Sequence, residues 1–70
     1  AINEGGLKPT AVNGANEEAV KLFLEGKIKF LQIADLVEKT LNWVNNKKDF
    51  TLEDILETDR RSRQFVRENL

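Results

Sequence analysis

Residues 9–26 read PTAVNGANEEAVKLFLEG, and the fold turns on how this stretch is taken. Val12, Ala15, Ala19, Leu22 and Phe23 recur at the spacing of one helix face. Two asparagines and the glycine between them are poor helix residues, yet they stand where the helix starts. Their place explains them. Thr10 is the expected N-cap, its hydroxyl accepting from the orphan N–H of Asn13. Asn13 then lies in the first turn, where a polar side chain can serve exposed backbone. Glu17 and Glu18 are read as acids complementing the helix start. Gly26, just past Glu25, can take the left-handed conformation that ends a helix.

Working outward, AINEGGLKP (residues 1–9) holds two glycines and a proline and predicts a helix remnant running into a linker. Residues 10–70 form the helical domain. A second helix is expected from Phe30 to about Trp43 or Val44, burying the stripe Phe30, Ile33, Val37, Leu41 and Val44. NNKKD, residues 45–49, is a polar turn. The third helix opens on Thr51 as N-cap, with Asp54 closing a capping box and Phe50 and Ile55 at the staple positions. Its expected buried face is Leu52, Ile55, Val66 and Leu70, flanked by Leu56 and Phe65. Glu17–Lys21, Asp35–Lys39, Glu57–Arg61 and Asp59–Arg63 are i,i+4 pairs in the favourable order. Nothing alternates with period two. The fold class is all-α, a small antiparallel three-helix bundle with an N-terminal stub of a further helix.

Two polar residues fall inside apolar arcs, Asn16 in the first helix and Asp59 in the third. Burying either alone would cost about 1–3 kcal/mol, so a matched amide–carboxylate pair, extended by Arg63, is expected to fix helix register. A ligand site built around them is the weaker alternative. Leu36 and Trp43 lie off the main stripe of the second helix. Either Ile2 and Leu7 of the linker cover them, or they form an apolar face for something outside this polypeptide.

Totals narrow the function. Seventy residues make one domain with a thin core. Apolar residues at 40% and charged residues at 33% fit a soluble globular protein, and no signal peptide or membrane span is visible. Cysteine, histidine and methionine are all absent. Disulfides, thiolate nucleophiles and the commonest general base and metal ligand go with them. The lack of cysteine fits a cytoplasmic setting, and the lack of an initiator methionine predicts a fragment of a longer polypeptide. A net charge of −1 gives no reason to expect nucleic acid or lipid. The acidic pairs Glu17–Glu18 and Glu53–Asp54 point in different directions on a helix and make no catalytic dyad. DRRSR, residues 59–63, with Arg67 has interleaved acids and no aromatic among its arginines, so a solvated face is preferred over a helix-turn-helix nucleic-acid binder. No catalytic, cofactor-binding or metal-binding residue is assigned.

One set of spacings is more specific. Asn13-x-x-Asn16-Glu17 is followed by Ala19-Val20, Phe23-Leu24, the basic-Ile-basic-Phe stretch from Lys27 to Phe30, Ile33-Ala34, and Leu56-x-x-Asp59-x-x-x-Arg63. This series resembles the C-terminal domain of the 1-deoxy-D-xylulose 5-phosphate reductoisomerases and extends over almost all of the sequence. The resemblance implies a parent enzyme, a cytoplasmic homodimer using NADPH and a divalent metal (Mg or Mn). That enzyme makes 2-C-methyl-D-erythritol 4-phosphate for isoprenoid biosynthesis by the non-mevalonate pathway. It also implies that this part is a non-catalytic scaffold packed on the catalytic domain of the same polypeptide. In the family a helix precedes the asparagine motif, and here only its tail, residues 1–4, remains. Gly14 stands where the family often has alanine, a change worth about 1 kcal/mol of helix propensity. The rival from another class is a free-standing helical protein-interaction module with Leu36 and Trp43 as its contact patch.

Overall fold

In the computed structural model, which describes residues 6–44 and 49–70, the protein forms three helices. They are α1 (Lys8–Leu24), α2 (Phe30–Trp43) and α3 (Leu52–Glu68), with no strand among the described residues. The expected all-α bundle is what forms. The proposed remnant at residues 1–4, Ile2, and most of the turn at 45–49 lie outside the described residues.

Helix α1 starts earlier than Thr10. Leu7 is the N-cap residue, its side chain making no capping bond, and the Ala11 N–H donates to its carbonyl at 3.0 Å. Pro9 falls in the first turn, where a missing N–H costs nothing. Glu17 and Glu18 lie more than two turns beyond Lys8, and the first turn holds no acid, so neither complements the helix N-terminus. The stop is where expected. Gly26 has φ +78°, its N–H donates to the Phe23 carbonyl at 3.0 Å, and the Lys27 N–H donates to Leu22 at 2.9 Å. These two bonds are a Schellman motif. The turn delivers buried Ile28 to the core.

Helix α2 is closed at its start by Gln32, whose Oε1 accepts from the Lys29 N–H at 2.7 Å. Helix α3 has the expected capping box: the Asp54 N–H donates to Thr51 Oγ1 at 3.2 Å, and the Thr51 N–H to Asp54 Oδ2 at 3.0 Å. Phe50 and Ile55, at the staple positions, are both half-buried.

Residue pairs give the topology. Gly14 lies against Asp59 and Ser62, and Glu18 against Arg63 and Arg67, so α1 and α3 advance in the same direction. Phe23 meets Phe30 edge-on with ring centroids 5.7 Å apart, while Asn16 and Val37 line one groove, so α2 runs back along α1. The bundle is up-down-up, with α1 in the middle. Helices α2 and α3 touch each other far less than either touches α1. Trp43 stacked on Phe65, centroids 4.7 Å apart, joins their flanks.

The core is small, and on two helices it lies on a face other than the expected one. Leu7, Ala11, Ala15, Ala19, Leu22, Ile28, Leu36 and Val66 are its buried apolar members. On α1 the buried positions also include Gly14, while Val12 is half-buried and Phe23 exposed. On α2 the buried residues are Leu36 and Thr40, and Phe30, named above as a core residue, is 68% exposed. Ile33, Val37 and Leu41 are only half-buried. On α3 the buried residues are Thr58, Ser62 and Val66, whereas Leu52, Leu56 and Leu70 are exposed. The cause is the seam between α1 and α3. Alanines and a glycine on α1 let the backbones come close, and only small side chains fit opposite them. Thr40 keeps its buried hydroxyl satisfied by donating to the Leu36 carbonyl at 2.8 Å.

Candidate docking face

Polar groups at the α1–α3 seam do not pair as the sequence suggested. Asn16 is exposed and makes no hydrogen bond with Asp59. A helix beginning at Lys8 buries the arc through Ala11, Ala15, Ala19 and Leu22, and Asn16 lies outside it. The half-buried Asp59 accepts instead from Arg63 Nε at 3.1 Å, and Arg63 Nη2 reaches across to Glu17 Oε1 at 2.6 Å. Glu17 thus serves α3, where the sequence suggested Lys21. These two acceptors raise the pKa of the Arg63 guanidinium above its usual value. Sequence reasoning missed Glu18, which is 5% exposed, ion-paired with Arg67 and 3.9 Å from Arg63 Nη1. Its place on α1 beside Ala11 and Ala15 was the available signal. The expected Asn16–Asp59 pair is absent; of that network only Asp59–Arg63 forms, and Glu17, Glu18 and Arg67 complete the charged contacts across the seam.

The other charges are used similarly. Glu57 accepts from Arg60 Nη2 and from Arg61 Nε, each at 2.7 Å, and those hydrogen bonds hold its carboxyl below the usual range. Asp54 is committed to the cap. Arg60, Arg61, Arg63 and Arg67, the arginines of the nucleic-acid alternative, each face a carboxylate. Among the described residues no three acidic side chains gather as a metal cluster would. No catalytic or ligand role is assigned to these residues.

What the bundle leaves open is an apolar face. Beside α1, Phe30, Leu31, Ile33, Ala34, Val37 and Leu41 line one groove, and it continues past Asn16 to Val12, Asn13, Pro9 and Lys8. On the other flank of α1, Pro9, Thr10 and Asn13 border a second groove with Ile55, Leu56 and Asp59. The α2 stripe that was expected inside the core is therefore the lining of a surface groove. Leu36 and Trp43, by contrast, make no joint patch: Leu36 is 3% exposed, and Trp43, 39% exposed, is stacked on Phe65. Leu7 does turn inward beside Trp43, as one of the two alternatives held. The contact patch of the free-standing module is absent from that side. Proteins rarely expose contiguous apolar area of this kind without a partner for it.

Comparison with known proteins gives one family. The profile described as the DXP reductoisomerase C-terminal domain matches residues 1–65. Among curated relatives, 1-deoxy-D-xylulose 5-phosphate reductoisomerase of Clostridium beijerinckii is 49% identical over 67 residues, covering 93% of this chain and 17% of the relative. The Clostridium botulinum protein of the same name is 44% identical over 66 residues, covering 94% of this chain and again 17% of the relative. The protein thus spans about a sixth of the length of these relatives. No solved structure matches. The all-helical bundle, the asparagine motif at the start of α1 and the profile over residues 1–65 agree: the chain belongs to the DXP reductoisomerase C-terminal domain family.

Proposed function

We propose that this protein is the non-catalytic bracing domain of a 1-deoxy-D-xylulose 5-phosphate reductoisomerase, and that the face over α1 packs on the rest of the same polypeptide. The parent would be a cytoplasmic homodimer that converts 1-deoxy-D-xylulose 5-phosphate to 2-C-methyl-D-erythritol 4-phosphate for isoprenoid biosynthesis. It would use NADPH and a divalent metal, with no role for nucleic acid or membrane. The observation that carries this is the division of labour on the surface. Arginines along α3 each face a carboxylate of α1 or α3, while Phe30 and Leu31 on α2 are left 68% and 80% exposed.

The residues present do not fit NADPH or the metal. No glycine-rich phosphate loop occurs, and the carboxylates at the α1–α3 seam and of Glu57 are held by arginines. This supports assigning both groups to the remainder of the parent, and no step is routed through them in this domain. No helix among the described residues is long and apolar enough to cross a membrane.

The test is made on the full-length product of the source gene. It should oxidise NADPH in the presence of 1-deoxy-D-xylulose 5-phosphate and a divalent metal. Placing aspartate at the exposed groove positions Leu31 and Ala34 together should then lower both the melting temperature and the turnover of that enzyme. Full turnover and an unchanged melting temperature in that variant would refute the bracing role.

A further inference from the structure

Asn13 and Asn16 stand at the centre of the open face. They are three residues apart, hence neighbours on one side of α1. Both border the groove on the α2 side, and Asn13 also borders the groove on the α3 side. Both are exposed, and neither side chain hydrogen-bonds to any described residue. Each asparagine lowers helix propensity relative to alanine by up to about 0.7 kcal/mol, and α1 gains no capping bond from either. An asparagine amide offers two donors and a carbonyl acceptor, so it can bond a backbone N–H and a backbone C=O alike. Around the pair the lining is apolar: Val12, Val37 and Pro9 on one flank, Ile55 and Leu56 on the other. Lys8 borders the groove on the α2 side, Glu38 its continuation past Asn16, and Asp59 the groove on the α3 side. A partner here meets two carboxamides among mostly apolar side chains.

We propose that Asn13 and Asn16 are the hydrogen-bonding anchors through which this domain is docked, and that they take backbone amide groups of the part of the reductoisomerase polypeptide preceding residue 1. The proposal rests on the bracing role above and adds the contact residues to it. Two observations select that occupant. The profile matched here is the C-terminal domain of enzymes about six times longer, so in those relatives the additional polypeptide enters through the start of this segment. That entrance lies beside the face: Gly6, with φ +63°, turns the backbone into α1, and Lys8 and Pro9 border the groove. A segment arriving there needs no long connection to lie across Asn13 and Asn16. Backbone groups left free at a helix end or in a loop are the natural partners for a carboxamide.

Hydroxyl-radical footprinting of the full-length enzyme tests this without using its reaction. In the wild type the side chains of Phe30 and Leu31, 68% and 80% exposed in the domain alone, should be protected, with Leu24, 76% exposed at the far end of α1, as the freely labelled reference. The double variant Asn13→Ala, Asn16→Ala should label those two residues roughly tenfold faster, the shift expected when about two modest hydrogen bonds are lost. Alanine strengthens α1, so faster labelling cannot be ascribed to a weakened helix, and an unchanged circular dichroism spectrum checks that. Labelling of wild-type Phe30 and Leu31 as fast as Leu24 would show the face uncovered and overturn the proposal. Equal protection in wild type and double variant would overturn the role of the asparagines. Failure to oxidise NADPH with the sugar phosphate sinks the enzyme assignment instead, and leaves the footprint to be judged separately.

Discussion

A methyl group placed on Gly14 would stand 2.8 Å from Asp59 Oδ1 and 3.3 Å from the Asp59 carbonyl oxygen. The first distance is a clash, and the second allows no comfortable retreat. The glycine is what lets α1 and α3 approach to the separation at which Glu17 and Glu18 reach Arg63 and Arg67.

Gly14→Ala therefore sets two effects against each other. The helix gains about 1 kcal/mol in propensity, and the seam loses about 1–3 kcal/mol to overpacking. The Asp59 carboxylate cannot simply turn aside, because its other oxygen accepts from Arg63. The variant should melt several degrees lower than the wild type in a thermal scan. A higher melting temperature would show that the helices part without loss.

Ser62 is fully buried, and its hydroxyl has no hydrogen-bond partner among the described residues. An unmade hydrogen bond of this kind costs about 1–3 kcal/mol, whereas removing a small oxygen leaves almost no void. Ser62→Ala should raise the free energy of unfolding by about 1 kcal/mol once lost packing is subtracted, and with it the denaturation midpoint. A drop of similar size in chemical denaturation would mean that the hydroxyl has a partner after all.

Glu18 and Arg67 give an asymmetric pair, the acid buried and the arginine partly exposed. Arg67→Met leaves a carboxylate buried with only the more distant Arg63 for company. Replacing both, as Glu18→Gln with Arg67→Met, removes that charge. The single arginine variant should be less stable, by about 2 kcal/mol, while the double variant recovers part of the loss. A double variant no more stable than the arginine single would refute the claim that the stranded charge is what hurts.

Acid should weaken the fold partly through Glu57. Arg60 and Arg61 hold its folded pKa below the ordinary value of 4.5, so its contribution is complete above that value and fades as the pH falls through the folded pKa. Melting curves of the wild type and of Glu57→Gln, taken from pH 7 downward, should therefore differ most at neutral pH and converge in strong acid. Because the site lies at the surface, added salt should shrink the difference at neutral pH. Parallel curves at every pH would remove Glu57 from the acid response.

Several elements were legible in the sequence because their signals are local. The Thr51–Asp54 box and the Gly26 stop each involve a few consecutive residues, and both form as expected. The family could be read from ordered spacings alone. Which face turns inward could not. Helix α2 has apolar residues on two sides, and periodicity does not say whether Leu36 or the stripe from Phe30 to Leu41 meets α1. The answer depends on a neighbour's size. Alanines and Gly14 on α1 admit Ser62 and Thr58 from α3, so residues that look polar in sequence lie inside. Asn16 was misplaced for a related reason: α1 turns inward along Ala11, Ala15, Ala19 and Leu22, its close-packing side, and not along Val12 and Phe23.

The middle position of α1 also bears on how this molecule comes apart. Helices α2 and α3 resemble two shutters hung on one post, with the Trp43–Phe65 stack as the latch between them. Release of the latch would free either shutter while the other stays hung. A break in the post drops both at once, so the slowest-exchanging amides in the molecule belong to the middle turns of α1.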